Sequence, residues 1–155
     1  MLSADEYSMV HATTPVVSVD LVVFDGQGKV LLGKRRNEPA RGTWSVPGGR
    51  LWKDETVAQA SRRISHGELG VDIPISRLLG AYHQTYTDTQ QGRHFITFAA
   101  TLAPTTAQIS AINHDDQHEE LKWWETSELL ASPDVHLYTK SYFSPAPWNK
   151  IVGNP

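Results

Sequence analysis

The 155-residue sequence contains no cysteine, which excludes a disulfide framework, a thiolate zinc site and a cysteine nucleophile. It also lacks an excess of basic residues, since 14 Lys and Arg stand against 17 Asp and Glu and the net charge is −3. This balance argues against nonspecific nucleic-acid binding, which needs a basic surface. It is compatible with a local basic pocket for one phosphorylated small molecule.

No run of apolar residues approaches the roughly 18 that a membrane-spanning helix needs. Residues 1–15 have neither a basic segment nor a long apolar one, so we expect no secretory signal and a cytoplasmic location. Hydrophobic residues make up 39% of the chain and charged residues 20%, as is typical of a globular protein. Because no repeat or low-complexity linker is visible, this length predicts a single domain over residues 1–155.

Hydrophobic patterning predicts six strands. The sequence Asp-Gly-Gln-Gly at residues 25–28 is a turn signal, which favours a hairpin between the first two strands. A Pro-Gly-Gly sequence ends the third strand. The predicted strands cover residues 15–24, 29–33, 44–49, 78–86, 94–102 and 119–125.

Two helices are predicted between and after these strands. The longer one covers residues 55–69, where apolar residues recur at helical spacing, with Asp54 as N-cap and Gly70 as the stop. The shorter one covers residues 126–132 and is expected to be capped by its own first Thr or Ser. Residues 144–155 are rich in proline and expected to be irregular. This order predicts an α+β fold, a mixed α/β/α sandwich.

One segment has a very specific spacing. It resembles the Nudix box: a Gly, five residues, a Glu, seven residues, then Arg-Glu-apolar-x-Glu-Glu-x-Gly-apolar. The matching residues are Gly49, Glu55, Arg63, Glu68, Gly70 and Val71. The resemblance implies the Nudix fold, a mixed β-sheet with a loop–helix–loop at residues 49–71. Within it the structural members are Gly49, Glu55, Arg63 and Gly70.

The segment departs from that pattern at two acidic positions. Ile64 replaces the Glu after the arginine, and Gly67 replaces the first of the paired glutamates, so Glu68 is the remaining carboxylate of the three. Fewer carboxylates can hold fewer divalent ions. We therefore expect one Mg²⁺ bound to diphosphate oxygens rather than a multi-metal cluster.

The GDP-mannose mannosyl hydrolases are a Nudix branch that lacks the same two carboxylates, and the resemblance to this branch extends beyond the box. The similar segments are residues 18–20, 31–35, 39–42, 53–56, 117–118, 129–132 and 134–136. The resemblance implies hydrolysis of GDP-mannose, and of GDP-glucose, to GDP and free sugar. Water attacks the anomeric carbon with inversion, and one Mg²⁺ per subunit, for which Mn²⁺ can substitute, neutralises the leaving diphosphate.

The resemblance also implies a role for individual residues. Metal ligands would be the carbonyl of Gly48, the carboxylate of Glu68 and the side-chain oxygen of Gln117. His118 would be the general base, since an imidazole can accept a proton at neutral pH. Residues with catalytic roles would be His118, Asp20 and Arg50. Substrate-binding residues would be Leu2, Tyr7, Arg35, Asp20 and Arg50.

The resemblance implies a homodimer in which the N-terminal arm, residues 1–14, crosses the interface and brings Leu2 and Tyr7 to the guanine base. Two details differ from the branch. His83 and Gln84 stand in the opposite order, and Phe98 is interpreted as the replacement of a tyrosine near the metal.

Two other functions stay open at the level of sequence. One is an ordinary Nudix pyrophosphohydrolase that attacks phosphorus and releases a nucleoside monophosphate and a sugar phosphate. The other is a noncatalytic nucleotide-binding Nudix domain. No nucleic acid or membrane partner is expected for any of the three.

Overall fold

A computed structural model describes residues 2–38, 40–87, 92–113, 116 and 118–152 of the chain. None of the helices among these residues is long and apolar enough to span a membrane. In chain order the elements are α1 (Ala4–Thr13), β1 (Val16–Val23), β2 (Val30–Arg35), β3 (Trp44–Ser45), β4 (Gly48–Arg50), α2 (Val57–Leu69), β5 (Ile75–Tyr86), β6 (Arg93–Leu102), α3 (Thr106–Ala111), β7 (His118–Trp124), α4 (Thr126–Ala131), α5 (Leu137–Ser141) and β8 (Lys150–Val152).

The described strands form two sheets. The larger sheet has the order β4-β1-β6-β5-β8 and is mixed, because β1 and β6 run parallel while the other neighbours are antiparallel. The smaller sheet has the order β3-β2-β7 and is antiparallel. The predicted α+β fold with a mixed sheet is confirmed.

Strand β1 is an inner strand of the larger sheet, and most of both its faces is covered, as its valine- and leucine-rich sequence suggests. Val19, Leu21 and Val23 pack with residues of α2, whereas Val22 packs on the opposite side with Trp44 and Trp124. Asp20 lies in the same strand and pairs in register with Gly48 of β4. The fold thus places a carboxylate next to the loop that leads into α2.

Helix α2 begins one residue after Thr56, which forms a capping box with Gln59. The predicted N-cap, Asp54, was wrong: this residue lies two positions earlier with φ 66°, in the left-handed conformation that aspartate tolerates. The predicted stop at Gly70 is confirmed, since its φ of 71° lets its N–H reach the carbonyl of His66.

The predicted hairpin between the first two strands is wrong. β1 belongs to the larger sheet and β2 to the smaller one, and only an isolated bridge between Phe24 and Val30 joins them. The turn itself is present, because Asp25 Oδ1 accepts hydrogen bonds from the backbone N–H groups of Gln27 and Lys29. The chain leaves this turn toward a different sheet.

The predicted strand at residues 44–49 is two short strands in different sheets, β3 and β4. Pro47 separates them, because it has no N–H to donate to a ladder. Its carbonyl accepts a hydrogen bond from the N–H of Leu21 and fixes the crossing to β1.

Other elements were missed or misplaced in the sequence. α1 has no buried residue, so it shows no apolar stripe, although Ser3 and Glu6 form a capping box. Residues 150–152, expected to be irregular, pair with β5 as β8. The second predicted helix is present as α4, but its N-cap is Glu125, whose side chain makes no capping hydrogen bond. α3 and α5 were not predicted.

Candidate active site

A cavity of about 350 Å³ opens between the larger sheet, the β2–β3 connection and α5. A second cavity of about 10 Å³, room for about one water-sized particle, adjoins it. The two share Arg35, Asn37 and Gly48, while Glu68 and His118 complete the smaller one. The residues of the large cavity that the sequence predicted for the site are Tyr7, Asp20, Arg35, Gly48, Gly49 and Arg50.

Asp20 is held by a chain of buried hydrogen bonds. The hydroxyl of Tyr142 donates to Asp20 Oδ2 at 2.5 Å, and Gln84 Nε2 donates to the same hydroxyl oxygen at 2.6 Å. Burial raises the pKa of Asp20 to about 6, although the bonds from Tyr142 and Gln84 and the charge of Arg35 act in the opposite direction. Burial and the neighbouring carboxylate also raise the pKa of Tyr142 well above its ordinary value.

Gly48 allows two carboxylates to approach the same point of the backbone. A Cβ there would collide with Asp20 Oδ1 and would lie 3.0 Å from the carbonyl oxygen of Val19. Its N–H donates to Glu68 Oε2 at 3.2 Å. Position 48 therefore requires glycine for close approach rather than for an unusual φ.

The residues around the small cavity fit a single hard cation. Glu68 is only 7% exposed, and its carboxylate, an oxygen ligand of the kind that hard cations prefer, lies within hydrogen-bond distance of the backbone N–H of Gly48. Gln117, the third predicted ligand, lies outside the described residues. Among the residues that are described, no group of three or more His, Asp or Glu side chains could hold an ion by itself.

His118 begins β7 and is 3% exposed. It pairs in register with Arg35 of β2, and its ring lies so close to Gly33 that a Cβ there would overlap the imidazole. His118 lines the small cavity together with Glu68. The predicted base and a predicted metal ligand therefore adjoin the cavity that contains Asp20.

Guanidinium groups give the large cavity its positive charge. Arg35, Arg50 and Arg93 line it, and the Nε atom of Arg50 is buried with no hydrogen-bond partner in the described part of the chain. The guanidinium carbons of Arg50 and Arg93 lie 5.5 Å and 5.9 Å from the centroid of the Tyr7 ring. Buried guanidinium donors of this kind suit phosphate oxygens.

Residues 14–144 match the family model of the NUDIX domain. The chain belongs to the Nudix family. It is 43% identical over 135 residues to the low-salt glycan biosynthesis protein Agl8 of Haloferax volcanii, covering 86% of each chain. It is 30% identical over 115 residues to the ADP-ribose pyrophosphatase of Methanocaldococcus jannaschii, covering 74% of this chain and 64% of that protein.

Solved Nudix structures share the fold. A MutT protein from Methanosarcina mazei has a TM-score of 0.72 at 19% identity, covering 84% of this chain and 92% of its own. The NUDIX domain of Shewanella oneidensis NrtR, solved with ADP ribose, has a TM-score of 0.62 at 23% identity, covering 92% of this chain and 97% of its own.

The two departures from the Nudix box differ in their surroundings. Ile64 is 3% exposed and belongs to the core between α2 and the sheet, where a Cβ on Gly49 would lie 3.2 Å from its side chain. Gly67 is exposed, and a Cβ there would meet nothing within 4 Å. Position 64 has thus become part of the apolar core, whereas position 67 is open to solvent.

The Nudix-box pair of Glu55 and Arg63 fixes the loop before α2. Two hydrogen bonds of 2.7 Å join the carboxylate and the guanidinium, and Arg63 also donates to the carbonyl of Arg50 at 2.8 Å. The hydrogen bond from Arg63 is the largest cause that lowers the pKa of Glu55. The Arg63 guanidinium lies 3.7 Å from the Trp52 ring centroid. These contacts position Arg50 without placing either charge in the cavity.

Several expectations about single residues change. Leu2 is exposed ahead of α1 and is not among the residues that line the large cavity. Phe95, rather than Phe98, lines this cavity. Gln84 faces Asp20 and Tyr142, whereas His83 lies on the exposed side of β5, with its Nε2 3.1 Å from that of His94.

Sequence reasoning missed part of this Nudix site. Tyr142 and Gln84 contact each other across 58 positions of sequence, so no local pattern could join them. Arg93 was missed because it follows a polar turn, where an arginine is usually solvated. No sequence pattern indicated that Asn37 belongs to the site. The period-2 alternation of β5 could have indicated that Gln84 shares a face with the buried Tyr82.

Proposed function

We propose that this Nudix protein hydrolyses GDP-mannose, and GDP-glucose, to GDP and the free sugar by attack of water on the anomeric carbon with inversion. The observation that carries the proposal is Ile64. The side chain that would be a carboxylate in the full box is packed into the apolar core. A multi-metal cluster that activates water against phosphorus has lost that ligand position.

The remaining oxygen donors support the binding of one Mg²⁺, through the carboxylate of Glu68, the carbonyl of Gly48 and the side chain of Gln117. When bound, this ion would neutralise charge on the departing diphosphate. Arg35 and Arg50 would add guanidinium donors to the same oxygens, because both line the large cavity.

The sugar end of the substrate would lie near Asp20. The Tyr142 hydroxyl donates a hydrogen bond to Oδ2 of this carboxylate, and Oδ1 lies beside Gly48. Asp20 would contact a sugar hydroxyl or stabilise positive charge that develops at the anomeric carbon. His118 would accept the proton of the attacking water, since its ring borders the adjoining cavity. A nucleoside diphosphate is a good leaving group, so no second carboxylic acid is needed.

The name of the Haloferax volcanii relative, a glycan biosynthesis protein, is compatible with a nucleotide-sugar substrate. The Methanocaldococcus jannaschii relative is named an ADP-ribose pyrophosphatase, which represents the competing attack on phosphorus. We also propose a homodimer in which residues 1–14 contribute Leu2 and Tyr7 to the base.

The deciding experiment is product analysis in ¹⁸O-labelled water with Mg²⁺ and a panel of GDP-mannose, GDP-glucose and ADP-ribose. We expect GDP and a sugar that carries the label and has inverted anomeric configuration. GMP with a sugar phosphate would reject the proposal in favour of attack on phosphorus. Binding without turnover of any substrate would indicate the noncatalytic alternative.

The metal role is tested by Glu68→Gln against Glu128→Gln, a change in the exposed first turn of α4. We expect the first variant to need more Mg²⁺ for half-maximal rate and the second to behave as the parent. An unchanged metal dependence of Glu68→Gln would reject its role as a ligand.

A further inference from the structure

We propose that Arg93 selects the nucleobase, by donating paired hydrogen bonds to the O6 and N7 acceptors of guanine. This inference rests on the proposed function, because it takes the ligand of the large cavity to be a nucleoside diphosphate sugar.

Arg93 lines the large cavity and is not among the described residues of the small one, which Gly48 and Glu68 border. It begins β6 and pairs with Tyr86, which lines the same cavity. Asp20 pairs with Ala99 of the same strand, and six residues at about 3.3 Å each place Arg93 roughly 20 Å farther along β6. An extended substrate with its sugar at Asp20 would direct its base toward Arg93.

The wall around Arg93 suits a flat ring. Tyr7, Tyr86 and Phe95 line this end of the cavity, and the Tyr86 and Phe95 rings meet edge to face with centroids 5.7 Å apart. Aromatic faces of this kind stack with nucleobases. In the described part of the chain no carboxylate forms an ion pair with Arg93, so its donors are available to a ligand.

Two other arginines are better placed for the phosphates. Arg35 lines both cavities and so lies beside Glu68 and Gly48. Arg50 pairs in register with Ser18, two residues from Asp20. The guanidiniums of Arg50 and Arg93 both lie near the Tyr7 ring, but the backbone of Arg93 is farther from Asp20, and we assign Arg93 to the base. A guanidinium can donate two parallel bonds to O6 and N7 of guanine, whereas adenine presents an N6 donor at the position of O6.

The test measures binding of GDP, IDP and ADP to the full-length protein with Mg²⁺ by calorimetry. IDP keeps O6 and N7 but lacks the N2 amino group of guanine. We expect GDP and IDP to bind with similar Kd, and ADP to bind about 10- to 100-fold more weakly. Arg93→Ala should weaken the binding of GDP and IDP by about this factor and leave the binding of ADP nearly unchanged.

Arg77→Ala is the matched control, because Arg77 is exposed on the neighbouring strand β5. It should keep the base preference of the parent, and Arg93→Lys should keep only part of it. If Arg93→Ala lost affinity equally for all three nucleotides, the proposal would be overturned, since Arg93 would then contact the phosphates. Equal affinity of the parent for GDP and ADP would also overturn it.

These outcomes are distinguishable from failure of the proposed function. Equilibrium binding of nucleoside diphosphates does not depend on which bond the enzyme breaks. Release of GMP would reject the proposed reaction and leave the base ratio intact, whereas an unchanged base ratio in Arg93→Ala would reject only the role of Arg93. Retained tryptophan fluorescence and thermal midpoint would exclude misfolding of the variants.

Discussion

A single carboxyl group links the core to the cavity. Asp20 lies between Val19 and Leu21 of a strand that is covered over most of both faces, where an unpaired carboxylate would cost several kcal/mol. The Tyr142 hydroxyl donates a hydrogen bond to one carboxylate oxygen, and the absence of a side chain at Gly48 leaves space for the other. Burial still disfavours the charged form, so this residue couples the ionisation of the site to the stability of the fold.

The pH dependence of Asp20 gives the first prediction. Its pKa is raised from 3.8 to about 6 on folding, so the stability gained by protonation is present below pH 4 and is lost as the pH rises through 6. Asp20→Asn stays neutral and can still accept the bond from Tyr142. Between pH 4 and pH 7.5 the variant should gain about 2–3 kcal/mol in unfolding free energy relative to the parent.

Urea unfolding in EDTA at the two pH values measures this difference, and EDTA removes any contribution of bound cations. Asp134→Asn, at an exposed residue, is the control and should give the same difference from the parent at both pH values. A constant gap between Asp20→Asn and the parent across this range would contradict the burial argument.

His118 gives the second prediction at the residue scale. His118→Gln keeps a polar side chain at a position that is 3% exposed but removes the imidazole base. We expect kcat for GDP-mannose to fall about 10²- to 10⁴-fold, with a smaller change in KM. His66→Gln, on the exposed side of α2, should keep the parental rate. A parental kcat in His118→Gln would exclude it as the base.

At the scale of elements, local chemistry was predictable and long-range pairing was not. Helical spacing predicted α2 and its stop at Gly70, and the resemblance to the Nudix box marked Glu55 and Arg63 as structural residues, because all of these features lie within one short stretch of sequence. The hairpin after β1 was predicted wrongly, since β1 pairs with β4 and β6 instead. A turn signal specifies a change of direction and not the sheet to which the next strand belongs.

The last turn of α2 gives an element-scale prediction. Gly67 lies inside the helix, and an added Cβ would meet no atom within 4 Å. Gly67→Ala should therefore stabilise the protein by about 0.5–1 kcal/mol. Gly70→Ala should destabilise it by about 1–2 kcal/mol, because φ is 71° there.

Thermal and urea unfolding of the two variants measure these opposite effects. Because both change a glycine to alanine within four residues of each other, each variant is the control for the other. If Gly67→Ala destabilises the protein, glycine is required at position 67 for close packing, and the position is not an open surface.

At the scale of the whole molecule, the cavity forms where two sheets, the loop before α2 and two peripheral helices meet. Arg35 comes from the small sheet, Asp20 and Arg93 from the large sheet, and Tyr138 from α5. Sequence reasoning found the residues near the box and missed those that α5 and β5 contribute. Of the helices that were missed, α5 is five residues long and α1 has no buried residue, so tertiary contacts and not propensity determine both.

The arm that carries α1 gives the last prediction. α1 has no buried residue, and Tyr7 is its member that lines the cavity, beneath the guanidinium of Arg50. Local opening of such a helix costs little free energy, so its amides should exchange rapidly with deuterium in the free protein. Addition of GDP and Mg²⁺ should slow exchange in Ala4–Thr13 at least several-fold, because a base next to Tyr7 adds contacts to the helix.

Hydrogen exchange with mass spectrometry measures this effect, and the amides of α2 serve as an internal reference that is protected in both states. Repeating the experiment with Tyr7→Ala should remove the protection of α1 by GDP while leaving α2 unchanged. If residues 1–14 cross to a second copy, protection of α1 should also rise with protein concentration, because association and docking are then the same event. Exchange in α1 that is indifferent to nucleotide would mean that the arm takes no part in binding the base.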